Sequence, residues 1–269
     1  MRLERAALAR LDALKEEIGP VECIYLGYYN DGMHQHCLAH FEPHRLVLLD
    51  DGTGTFGVAA KRKREFMRRA DPVARLRNIL RERLTGFKRA ERRMPATFFT
   101  VFSLSSVAPD DVVVKHCFRS IQGLVNPQAQ HRPLFVGQPL VDLGMVTTEG
   151  YLAIVAEFVR VVGPAGLYAP HPRESASVVD LVQRTGLEIS QSALPLELRV
   201  AVGELRPSVI GGIFSSALVA VDLICGSSPA IPVLLFSPTR HEGGIDEWVA
   251  EVALQIPRAT VARVDWPGP

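Results

Sequence analysis

Short apolar runs that end in polar or glycine-rich corners, alternating with segments of helical periodicity, constrain this chain more than any other feature. Val21 to Leu26, Arg45 to Leu49 and Thr97 to Leu104 read as strands in the first half, with Val112 to Cys117 as an edge strand. Leu134 to Gln138, the apolar residues entering His171-Pro172, the run 209–214 and Val233 to Phe236 read as strands in the second, the last closing the sheet. Helices are expected over about 3–18, 33–41, 149–162, 217–224 and 245–254. Strand-helix alternation of this kind argues for parallel α/β layers. Such layers bind ligands at the carboxyl ends of their strands.

A polar, proline-bracketed stretch from Asn126 to Pro133 suggests a linker, which divides the chain into 1–128 and 129–269. The chain has 269 residues, 47% of them apolar, and a formal net charge of +1, so a nucleic-acid partner is not expected. Its four cysteines are widely spaced and form neither a disulfide framework nor a zinc pattern. The mixed charge of Met1 to Ala6 is unlike a signal peptide, and no apolar run is long enough to span a bilayer. A cytoplasmic location is the default expectation.

Charge is unevenly placed. Residues 61–93 carry fourteen Lys and Arg against four acids, a net +10, while Leu76, Ile79, Leu80 and Leu84 keep helical spacing. Two readings stand for these basic helices: a solvated face, or attraction to an anionic acceptor or to acidic lipid at the inner membrane face.

Several residues could carry chemistry. Asp50-Asp51-Gly52 closes a strand. It is either a solvated turn or a general base, with Gly52 and Gly54 allowing close approach to the backbone. His34, His36, Cys37, His40 and His44 use metal-ligand vocabulary, but no second cluster and no HExxH pattern accompany them. Packing is the preferred reading, and a metal-dependent hydrolase the weaker one. His171-Pro172 lies at a strand end, Glu197 follows, and Ser215-Ser216 begin an apolar helix. A histidine and two hydroxyls at a helix start suit a phosphate, and a carboxylate suits ribose hydroxyls. Glu188 and Glu204 compete with Glu197 for that role. Dinucleotide and P-loop glycine patterns are absent.

Asp-Asp-Gly at 50–52, Tyr-Ala-Pro-His-Pro-Arg-Glu at 168–174, Gly-Gln-Pro-Leu at 137–140 and Phe-Ser-Ser-Ala-Leu at 214–218 resemble the motifs of bacterial GT-B sialyltransferases. That group includes the lipooligosaccharide sialyltransferases and the capsular polysialyltransferases. The resemblance spans roughly residues 20–240. It implies an α/β fold of two Rossmann-like layers facing a central cleft, the first an acceptor-side domain and the second a CMP-sugar donor domain. It implies an inverting transfer of sialic acid from CMP-sialic acid to a hydroxyl of a cell-surface glycan, without metal or cofactor. By position, Asp51 would be the general base and His171 would act on the leaving phosphate. Gly137, Gln138, Pro172, Glu197, Ser215 and Ser216 would bind the donor, with Asp50, Gly52 and Arg173 in support. The family usually carries further strand-helix units before Asp-Asp-Gly, whereas 49 residues precede Asp50 here. The first domain is therefore expected to be shortened. A non-catalytic or truncated relative that binds CMP or a nucleotide sugar is the alternative reading.

Overall fold

In a computed structural model, the chain forms two compact units, Met1–His116 and Cys117–Pro269. The structure describes residues 2–67, 80, 82, 86–88, 93–122, 131–226, 231–239 and 244–265. The division falls ahead of the 128–129 boundary expected from composition. Helix α4 (Arg119–Gln122) already belongs to the second unit, where Gln122 Nε2 donates to the carbonyl of Leu223 at 2.7 Å.

The first unit runs α1 (Arg2–Ile18), β1 (Cys23–Leu26), α2 (Gly32–Phe41), β2 (Arg45–Leu49), α3 (Gly54–Met67), β3 (Thr97–Thr100) and β4 (Val112–Lys115). Its sheet is parallel in the order β1-β2-β3-β4, so the expected edge strand at 112 does lie at an edge. Asp31 starts α2 by accepting from the N–H groups of Met33 and His34, which satisfies two donors that the helix cannot. Leu26, Leu46, Leu48 and Phe98 pack with Leu38 of α2 and Val58 of α3 into one core. The period-two alternation of the strands sends Tyr25, Leu49, Phe99, Val112 and Val114 to the opposite face, where they are exposed.

Strand β3 stops at Thr100, short of the Leu104 expected from its apolar run. Asp50 Oδ2 takes the N–H of Val101 at 2.8 Å, a donor that would otherwise continue the ladder. Of the helices expected over 61–93, Lys61–Met67 belong to α3, and most of the rest lies outside the described residues.

The second unit continues with β5 (His131–Val136), α5 (Thr148–Val162), β6 (Leu167–Ala169), α6 (Ala176–Gln183), β7 (Glu188–Ile189), α7 (Leu196–Ala201), β8 (Arg206–Gly212), α8 (Ser216–Cys225), β9 (Val233–Pro238), α9 (Ile245–Gln255) and β10 (Thr260–Val264). The strand expected to close the sheet, β9, does not do so, because β10 pairs beyond it. Read from β7, the parallel order is β7-β6-β5-β8-β9-β10. This is the doubly wound order in which strands one to three lead one way from the centre and four to six the other. Helix α5 buries Tyr151, Ile154, Val155 and Phe158, spaced for a single helical face. Phe158 packs against Phe135 and Phe236, and a Cβ on Gly211 would lie 2.6 Å from its ring, so that central-strand position is closed to any side chain.

Candidate functional site

In the first unit the Asp-Asp-Gly turn separates its two acids by the alternation of the strand it ends. Asp50 turns inward, where Oδ1 accepts from Thr55 Oγ1 at 3.2 Å and Oδ2 from the N–H of Val101. His116 at the end of β4 places Nε2 3.9 Å from the same carboxylate, and its ring stacks on Phe99. Burial raises the Asp50 carboxyl above its ordinary value, against the pull of these donors. Thr55 in turn accepts the N–H of Asp51 at 3.2 Å. The turn is thereby pinned, Gly52 taking the positive φ of 56° that it requires. Asp51 is left exposed, beside a small hollow lined by Gly27, Tyr29, Leu49, Thr55 and Phe98. Asp50 is the structural acid of the pair, and Asp51 the one that can meet a substrate.

In the second unit the residues singled out at 137–138, 171–173 and 214–216 follow the carboxyl ends of β5, β6 and β8. Strands β5 and β8 flank the point where the winding reverses, the usual ligand crevice of such a sheet. Gln138 crosses that point: its Oε1 accepts the N–H of Phe214 at 3.0 Å. It is buried, so its part is to hold the two strand ends together. Ser215 caps α8 by accepting the N–H of Ala217, and Ser216 is the first residue of the helix. Both are half-buried.

His171 follows β6 on a tight turn. Its Nδ1 accepts the N–H of Arg173 at 3.1 Å, which leaves the ring proton on Nε2. Burial, aided by the charge of Arg173, lowers the imidazole pKa from its ordinary value. At neutral pH the ring is therefore a neutral N–H donor. Pro172 and Arg173 are exposed. Gly137 is restricted too, since a Cβ there would come within 2.4 Å of Glu174 Oε2 and 2.6 Å of the Tyr168 hydroxyl.

Glu197 lies half-buried in the first turn of α7, which packs against α8. The competing acids are engaged elsewhere: Glu188 pairs with Arg132 at 2.8 Å and Glu204 with the buried Arg199 at 2.7 Å. Glu197 forms no ion pair among the described residues. Of the clustered histidines at 34–44, two pack as a stack, His44 is exposed, and His34 Nδ1 lies 2.6 Å from the carbonyl of Tyr28. His36 and His40 are buried with ring centroids 5.4 Å apart; His36 Nδ1 accepts the N–H of Lys88, and His40 Nε2 lies 3.4 Å from Asp12. Among the described residues no group of three or more His, Cys, Asp or Glu is placed to hold a metal ion.

Sequence reasoning missed the side chains behind the His171 turn. Glu174 Oε2 accepts the N–H of His171, and Oε1 accepts the Tyr168 hydroxyl at 2.5 Å. Tyr151 from α5 joins them, 2.8 Å from the Tyr168 hydroxyl. Tyr168 and Glu174 are the two ends of the Tyr-Ala-Pro-His-Pro-Arg-Glu stretch, which was the available signal; Tyr151, on α5, carried none.

Neither a known family nor any curated protein matches the chain. Among solved structures it is similar to the α/β-galactoside α-2,3-sialyltransferase of Photobacterium phosphoreum, a luminous marine bacterium, with a TM-score of 0.49 and 11% identity, covering 96% of this chain and 84% of that one. It is also similar to MurG of Acinetobacter baumannii, with a TM-score of 0.42 and 9% identity, covering 96% and 64%.

Proposed function

We propose that the chain is an inverting, metal-independent sialyltransferase that moves sialic acid from CMP-sialic acid to a hydroxyl of a cell-surface glycan. The supporting observation is the set of strand ends at the winding reversal of the second unit. There the neutral Nε2–H of His171, the serines at the start of α8 and the bridging Gln138 follow the ends of adjacent parallel strands. A CMP leaving group carries one phosphate. Two hydroxyls, a helix N-terminus and an imidazole N–H can stabilise the charge that develops on it. Glu197 binds the ribose hydroxyls in this reading. Asp51 takes the proton of the acceptor hydroxyl while that oxygen forms its bond to the anomeric carbon, and the bond to CMP oxygen breaks with His171 as donor.

CMP release from CMP-sialic acid, with and without glycan acceptors, tests the assignment. Asp51→Asn and His171→Ala are each expected to lower the rate about 10²- to 10⁴-fold, the range for loss of an acid or base. Rates equal to wild type in both variants would remove the catalytic roles. CMP binding without turnover on any acceptor would favour a binding protein instead. The basic segment 61–93 is proposed to attach the chain to anionic membrane from the cytoplasmic side. Failure to bind acidic vesicles at low salt would end that idea.

A further inference from the structure

The carboxylate behind His171 is the acceptor on which a buried hydrogen-bond chain closes. The N–H of Gln138 donates to the Tyr151 hydroxyl at 3.0 Å. The tyrosine's own proton then has two acceptors, the Tyr168 hydroxyl at 2.8 Å and Glu174 Oε1 at 3.3 Å, and on either route the chain closes on the carboxylate. Tyr168 donates to Glu174 Oε1, and the N–H of His171 donates to Oε2. Both tyrosines are fully buried, so none of their protons has water as an alternative. Every link carries a donor toward Glu174, and only an acceptor-only group closes the count. A carboxylate is such a group; an amide of the same shape is not. A glutamine that accepts from Tyr168 points its NH2 at the N–H of His171. Turned over, it donates to Tyr168, reverses the chain and strands the proton of Tyr151.

We propose that Glu174 is the positioning residue for His171, and that the chain from Gln138 through Tyr151 and Tyr168 locks the His171 turn to the end of β5. Gln138 is the residue whose side chain bonds Phe214 across the winding reversal, so three strand ends share one rigid frame. Gly137 fits the same frame, being the position where any Cβ would strike Glu174 and Tyr168. The inference rests on reading the pocket as a CMP site only for its consequence, not for its geometry.

Nuclear magnetic resonance of His171 in the full chain, with CMP titrations alongside, tests it. Glu174→Gln keeps the shape of the side chain. Tyr168→Phe removes one oxygen and keeps the ring stacked 5.9 Å from Phe135, which guards against a variant that fails to fold. In both, the backbone amide and imidazole resonances of His171 should move, and its titration should differ from that of wild type. CMP affinity should fall about tenfold, as for the loss of one hydrogen bond to a charged group. Unchanged His171 resonances and titration in both variants would overturn the proposal, whatever happens to their melting temperatures. If wild type does not bind CMP, the sialyltransferase reading fails, and the His171 resonances still decide the positioning role.

Discussion

Asp50 and Asp51 are neighbours of identical chemistry with opposite surroundings, because one side chain faces back along the sheet and the next faces out. That division could be anticipated from strand alternation and the motif. The partners of Asp50 could not, since Val101 lies a whole crossover away in sequence. Glu174 carries a pH prediction. Burial raises its carboxyl above the ordinary 4.5; bonds from Tyr168, His171 and Tyr151 pull it down, Asp142 pushes it up, and burial prevails. A carboxyl raised by folding binds its proton more tightly in the native chain, so this group's contribution to stability grows as pH falls through its folded value and is lost as pH rises. Protonation removes the acceptor that holds His171. CMP affinity should therefore drop on acidification at a pH above 4.5, while far-UV circular dichroism stays native. Titrations between roughly pH 4 and 7 check this; affinity that falls only together with the dichroism would refute it. His171 itself, its pKa lowered, charges below its usual 6.5 and is followed by its own resonances.

Among the elements, α3 is held by an interaction that composition disguised. Arg62 belongs to the basic run and would pass for a solvated charge, yet it is wholly buried. Its Nε and Nη2 donate to the two oxygens of the equally buried Asp111 at 2.9 and 2.8 Å, Nη2 also reaches the carbonyl of Met94, and the guanidinium lies over the Tyr29 ring. Asp111 further accepts the N–H of Ala96 just before β3. Asp111 also faces Arg93 Nη2 at 2.6 Å, so Arg62→Leu removes the bidentate partner but not the last cation, and should cost about 3 kcal/mol in denaturant unfolding, the low end for a broken buried pair. A loss below about 1 kcal/mol, the size of a surface pair, would show that the pair is not structural. Long apolar or strongly periodic elements were legible in the sequence, including α1, α5 and α9. The two-residue β7, the six-residue α7 and the edge strand β10 were not. Their order comes from tertiary partners, such as Arg199 of α7 donating to the carbonyl and hydroxyl of Ser190 just after β7.

At the scale of the molecule, the two units are wound differently. The second reverses direction between β5 and β8, the kind of point where such sheets bind ligands; the first runs β1 to β4 in one direction. Sequence alternation predicted parallel layers in both halves but could not predict strand order, which depends on pairings between distant segments. Trp248 lies in α9 of the second unit, so its fluorescence reports on that unit. CMP at a hundredfold excess over its dissociation constant should stabilise the tryptophan-monitored transition by about 2.7 kcal/mol. An unmoved transition would mean that CMP is not bound there.

Whether transfer from CMP-sialic acid inverts the sugar is read from the anomer of the first product. Proton magnetic resonance of the full chain with β-linked CMP-sialic acid should show CMP released with the sialyl product appearing first as the α anomer. The reaction should be slowed at least about a hundredfold in Asp51→Asn. CMP release no faster than without protein, or a β anomer appearing first, would rule out inverting sialyl transfer by this chain.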